Sequence, residues 1–215
     1  MKNLHSVISA AALVGLVALG GVARAAPTYD DLIQATESGD RATVEKLIGR
    51  GMDVNSVDKQ GNSLLMLAAR NGNPELIDLL LARRAKVDSR SPVGDTALSL
   101  ASLKGHLDIV KRLVKAGAAV NQDGWPPLAY ACLGGYVDVA RYLIERGADV
   151  NGRAVNSATP LMLAARSGHL EIAKLLINKG ADIDARNDSG LTAMVWAAQS
   201  GNTNIVELLQ AVPIK

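Results

Sequence analysis

Apolar residues along the chain come in short clusters separated by single glycines. Residues 159–184, TPLMLAARSGHLEIAKLLINKGADID, show the pattern in full. Thr159 has the side chain to cap a helix, and Pro160 suits the first helical position. Leu161, Leu163, Ala164 and Ala165 make one compact apolar face, with alanines small enough for another helix to come close. Gly168 breaks that helix and allows a tight turn. A second helix is predicted over 170–179, because Ile172, Leu175 and Leu176 lie three or four apart and share a face. Glu171 in its first turn and Lys179 in its last suit the helix dipole, and Gly180 ends it. The stretch therefore reads as two short antiparallel helices and an extended turn. So small a unit cannot hide its own apolar side, and copies have to stack.

Copies are present. Gly39, Gly72 and Gly105 lie 33 residues apart, Gly135 follows after 30, and Gly168 and Gly201 resume the interval of 33. Asn55, Asp88, Asn121, Asn151 and Asp184 keep the same intervals. Two independent marker sets agree on one period and on one three-residue deletion, which identifies a repeat array. The units are 29–57, 58–90, 91–121, 122–153, 154–186 and 187–215. The fold class expected is an all-α repeat solenoid of stacked antiparallel helix pairs, joined by β-hairpin-like loops. The first unit begins without a hairpin or a Thr-Pro cap, and its Asp30, Glu37 and Asp40 suit an exposed end. Pro213 stops the last helix. Two places depart from the pattern. The deletion falls between Asn121 and Gly124 and should shorten the loop there, and Asn156-Ser157-Ala158 replaces the usual turn glycine, with Asn156 able to adopt a left-handed conformation.

The residues before the array read as a targeting segment. Lys2 supplies a basic start, residues 7–22 are uncharged and rich in Ala, Leu, Val and Gly, and Ala23-Arg24-Ala25 places small residues before a cut at Ala26. Residues 1–25 are thus expected to be a cleaved signal peptide, with a retained anchor as the alternative, and 26–215 the repeat domain. The chain carries 23 basic and 21 acidic residues, and removing Lys2 and Arg24 brings the signs into balance. That balance gives no reason to propose nucleic acid or a membrane as partner. Cys132 is the only cysteine, so no internal disulfide can form.

The recurring pattern Gly-x-Thr-Pro-Leu-x-x-Ala-Ala-x-x-Gly-His, followed by Leu-Leu-x-x-Gly-Ala-Asp, resembles the ankyrin repeat over about 29–215. The Thr-Pro-Leu-His signature is never complete: repeat two has Ser63-Leu64-Leu65-Met66 and repeat five Thr159-Pro160-Leu161-Met162. The resemblance implies protein binding on a concave surface made of hairpin tips and the exposed side of each first helix. Carried over by position, the candidates before each cap are Asn62, Asp95, Trp125 and Leu191. Those near the end of each first helix are Arg70, Asn71, Leu103, Lys104, Leu133, Arg166, Ser167 and Gln199. Trp125, Leu103 and Leu133 stand out as apolar at places expected to face outward, and an aromatic anchor amid polar neighbours is the usual composition of an interface hot spot. The rival role for Trp125 is packing over the shortened loop. Tyr130 and Trp196 occupy the place of Leu67, Leu100 and Leu163 and read as core.

Candidate chemistry is thin. His106 and His169 hold equivalent places two repeats apart, too far to share one metal ion, and the resemblance implies that each bonds to loop backbone. Cys132 stands where most units carry alanine, with no histidine placed to activate it. No phosphate-cradling glycine loop or nucleophile elbow is present. The expectation is a non-enzyme with no cofactor and no metal, a monomer whose partner is a protein. Its expected role is an exported scaffold or inhibitor in the bacterial periplasm. A structural or protective accessory factor for an envelope enzyme or stress response is one alternative, and a secreted effector acting on a host protein another.

Overall fold

A computed structural model describes residues 27–212; the expected leader and Pro213 lie outside them. Six antiparallel helix pairs follow one another: α1 (Tyr29–Ser38) with α2 (Arg41–Gly49), α3 (Leu64–Asn71) with α4 (Pro74–Ala82), α5 (Ala97–Leu103) with α6 (Leu107–Lys115), α7 (Pro127–Gly134) with α8 (Val137–Glu145), α9 (Pro160–Ser167) with α10 (Leu170–Asn178), and α11 (Ala193–Gln199) with α12 (Thr203–Gln210). The chain is an all-helical repeat solenoid. Odd helices pack on odd helices more closely than even on even, because the odd ones meet through Ala68, Ala101, Ala131, Ala164 and Ala197, all fully buried. The stack therefore bends with the odd helices inside. Leucine and isoleucine from both layers, such as Leu65, Leu76, Leu98, Ile109, Leu128 and Ile172, fill one continuous core.

The local signals act as expected. The Thr159 hydroxyl accepts from the Met162 N–H at the start of α9, and Gly168 closes that helix with φ of 78°. Thr96 does the same for α5 with Ser99. The first repeat is better capped than its sequence suggests. Thr28 and Asp31 form a reciprocal capping box on α1, and the Asp40 carboxylate caps α2 by accepting from the Thr43 N–H.

Two ladders account for the two periodic markers. In the first, the Asn55 side-chain carbonyl accepts from the Lys86 N–H, and the Asp88 carboxylate from the Ala119 N–H. Asn121 accepts from the Asp149 N–H and donates to the Gly147 carbonyl; Asn151 accepts from the Asp182 N–H and donates to the Gly180 carbonyl. Each rung ties one loop to the next. In the second ladder, His106 Nε2 bonds the Arg70 carbonyl at 3.3 Å and His169 Nε2 the Leu133 carbonyl at 3.1 Å, while Asn202 donates to the Ala165 and Arg166 carbonyls. Tyr136 holds the corresponding place in repeat four. Its ring fills the space beside Gly105 and Gly134.

Four tips share one construction. The first residue's N–H donates to a carbonyl four residues on, as Asp58 to Asn62, Ser91 to Asp95, Ala154 to Ala158 and Asn187 to Leu191. The tip of repeat five reaches it with Asn156 left-handed at φ of 66°. Repeat four is different. The deletion removes the tip, and the Gln122 side chain replaces its backbone bond by donating to the Trp125 carbonyl at 2.8 Å. The Gln122 amide oxygen in turn accepts from the Thr96 hydroxyl at 3.1 Å. Arg90 steadies the shortened loop from the end of repeat two by donating to the Asp123 carbonyl.

Candidate protein-binding face

The odd helices and the tips line one face, as the Tyr130 hydroxyl shows by donating from α7 to the Asp95 carboxylate beside the tip of repeat three, at 2.7 Å. Of the residues placed here from sequence, some brace the scaffold. Asn62 donates from its backbone and its side chain to the Asp58 carboxylate. Burial alone would raise the Asp58 pKa, but these bonds, the Gln60 N–H and the nearby Arg70 charge outweigh it, so the carboxyl sits below its ordinary range. Arg70 pairs loosely with Glu37, at 3.7 Å, and the Asn71 side chain donates to the Glu37 carbonyl. Lys104, Arg166 and Gln199 are exposed, while Ser167 and Leu191 are half-buried.

The centre is built on Trp125. Its ring is half-buried and stacks on that of Tyr130, with centroids 5.2 Å apart and 24° between planes. Tyr130 departs from the reading as core. Where Leu67 and Leu163 are sealed in, Tyr130 remains half-exposed, because its hydroxyl needs a polar partner and finds Asp95 at the rim. Burial first, and then the Asp95 carboxylate, push the phenol well above its usual pKa. Trp196 is buried as expected, 7% exposed, and the Arg166 guanidinium lies 4.8 Å over its ring. Leu103 and Leu133 are half-buried rather than open.

Reading positions one at a time missed a concentration. The chain has two tryptophans, four tyrosines and no phenylalanine. Trp125, Tyr130, Tyr136 and Tyr142 all fall in repeat four, a clustering visible in the sequence itself. Tyr142 lies on the even-helix side between Lys111 and Arg146, whose charges are 5.8 and 5.0 Å from its ring centre. The other three belong to the odd-helix half. Exposed valines at the tips were missed too: Val93 is 79% exposed in repeat three and Val155 59% in repeat five.

The reactive residue types are committed elsewhere. His106 and His169 serve carbonyls, as above, and Cys132 is fully buried, which pushes its thiol pKa up. Among the described residues no three His, Cys, Asp or Glu side chains gather as a metal site would need.

The family described as ankyrin repeats (3 copies) matches residues 32–92, 65–154 and 151–213. A chain from the solved complex of the Bd0816 predatory endopeptidase of Bdellovibrio bacteriovorus with immunity protein Bd3460 shares this fold, with a TM-score of 0.77 and 28% identity. The likeness covers 87% of this chain and 100% of that one. No curated protein matches the sequence.

Proposed function

We propose, from the fact that the chain belongs to the ankyrin-repeat family, that this interaction module is exported to the bacterial envelope and there grips and inhibits a protein partner. The observation that carries the reading is the stacked, half-exposed Trp125–Tyr130 pair at the middle of the odd-helix face. We take Leu103 and Leu133 as further apolar contacts of the same face, and Arg70, Lys104 and Arg166 as its rim. Large rigid rings supply contact area at little entropic cost, and a few central anchors dominate most interfaces. The signal-like residues 1–25 support export. The inhibitory reading draws support from the similar solved chain, whose complex pairs an endopeptidase with an immunity protein.

The test begins with a partner captured from an envelope fraction by the purified chain. Trp125→Ala should then weaken binding by at least about 2 kcal/mol, more than tenfold, while the helical spectrum and most of the melting temperature survive. Unchanged affinity with a lowered melting temperature would make Trp125 a loop brace and move the site elsewhere. The captured partner's own activity separates the roles: an inhibitor suppresses it on binding, whereas an accessory factor sustains it.

A further inference from the structure

The missing tip of repeat four opens a gap in an otherwise continuous row. On one side stands Val93, on the other Val155, each the exposed apolar point of its tip. Between them the loop retreats to a recess of about 520 Å³ whose walls include Arg90, Asp123, Asp149 and Arg153. Two positive and two negative side chains leave that recess with no net formal charge, so it makes no site for an ion. Its consequence is steric. At this one place in the row, a segment of another protein can pass between the tips and reach the odd helices.

Gln122, a wall of that recess, bonds the Trp125 carbonyl and the Thr96 hydroxyl, and next to these two residues stands the linked set of Asp95, Tyr130 and Trp125. Asp95 is half-buried, accepts the Tyr130 hydroxyl, and forms no ion pair with any described cation. Of the basic side chains of this face, Arg70 leans on Glu37 and Arg166 covers Trp196, while Lys104 is exposed. A carboxylate partly withdrawn from water and lacking a counter-charge favours a cation brought to it. The adjoining aromatic stack adds ring π-electron density, which attracts the same kind of group.

We propose that the gap over repeat four admits a protruding loop of the partner and that Asp95, Tyr130 and Trp125 together hold a cationic side chain at that loop's apex. The proposal rests on the reading of the odd-helix face as the binding face and adds what the face selects. Valines on either side exclude water from the loop's flanks, and Gln122 holds the floor open by replacing the missing tip's backbone bond.

A disulfide-cyclised hairpin peptide with arginine at its turn is the probe, added to the full chain and followed by the indole N–H resonances of its two tryptophans, assigned with Trp125→Phe. The arginine peptide should shift the Trp125 signal saturably, with a dissociation constant on the order of 1 mM. Peptides with norleucine or glutamate at the turn should bind at least about tenfold more weakly. Asp95→Asn should cost a similar factor, whereas Tyr130→Phe, which keeps the ring and releases the carboxylate, should leave binding equal or tighter. Equal binding by the glutamate peptide, no saturable shift, or indifference to Asp95→Asn in a chain of unchanged helical spectrum would each overturn the proposal. The captured envelope partner separates the two readings. Loss of its binding in Trp125→Ala but not in Asp95→Asn would remove the cation site and leave the binding face standing, and indifference to both would remove both.

Discussion

Replacing Gly134 with alanine should weaken this protein, although alanine is the better helix former. Gly134 is the last residue of α7 and its backbone is helical, so the substitution gains up to about 1 kcal/mol in conformational preference. The added methyl would lie 2.8 Å from Cδ2 of Tyr136 and closer still to Cε2. Carbon atoms are comfortable at about 3.5–4.0 Å, so the ring would have to retreat by about 1 Å. It has nowhere to go, because its other edge lies against Gly105, where even a methyl would find no room. Overpacking of this kind costs roughly 1–3 kcal/mol, and the net effect should be a loss of up to about 2 kcal/mol. Tyr136→His supplies the control. Histidine is the residue at the same place in repeats three and five, where Lys104 and Ser167 stand two positions earlier without conflict. In that background Gly134→Ala should stabilise. Urea denaturation followed by helical circular dichroism, on the four members of the cycle, should give a coupling energy of about 1–3 kcal/mol. Gly134→Ala raising stability with Tyr136 in place, or effects that add within about 0.5 kcal/mol, would refute the reasoning.

Two further outcomes follow from the loops. Asp88→Asn should raise the urea midpoint by an amount worth roughly 0.5–1 kcal/mol, because the amide can keep the Ala119 N–H and also donate to the Gly117 carbonyl, as Asn121 does to Gly147; an unchanged or lower midpoint would count against the ladder's energetic role. Asp58, held ionised mainly by Asn62 against the effect of burial, has its pKa depressed below 3.8, so its contribution to stability is present above the unfolded value and is lost as pH falls through the folded one. The midpoint gap between wild type and Asp58→Ala should therefore close as the medium is acidified into that range, and a gap independent of pH would show that the charge is irrelevant.

The repeats were legible because their determinants are local. Thr159 meets Met162 three residues away, Gly168 turns its own helix end, and Asn156 adopts its left-handed conformation within its own tip. The face was legible only in outline. Trp125, Asp95 and Arg166 were named by position, but what each touches was not. Tyr130 shares a column with Leu67 and Leu163 and so read as core; its rescue by Asp95 comes from 35 residues away and depends on how two repeats stack. Gln122 hid for a different reason. A deletion shows in the period as absence, whereas the side chain that fills it carries no periodic mark. Trp196 was read correctly as buried, yet the guanidinium of Arg166 over its ring joins two repeats and has no counterpart in either repeat alone.

The asparagine ladder has a bearing on rigidity. Asn121 and Asn151 make two-bond rungs, accepting and donating, and they stand on either side of repeat four. Asn55 and Asp88, toward the other end, each accept a single backbone N–H from the following loop. The repeat that has lost its tip is thus clamped at its base on both sides. The rings of Trp125 and Tyr130 are carried by the repeat whose flanking rungs are doubled. If a partner docks at this place as proposed above, doubled rungs on both sides would leave little ordering to be done on contact, and association should need no conformational step on this side.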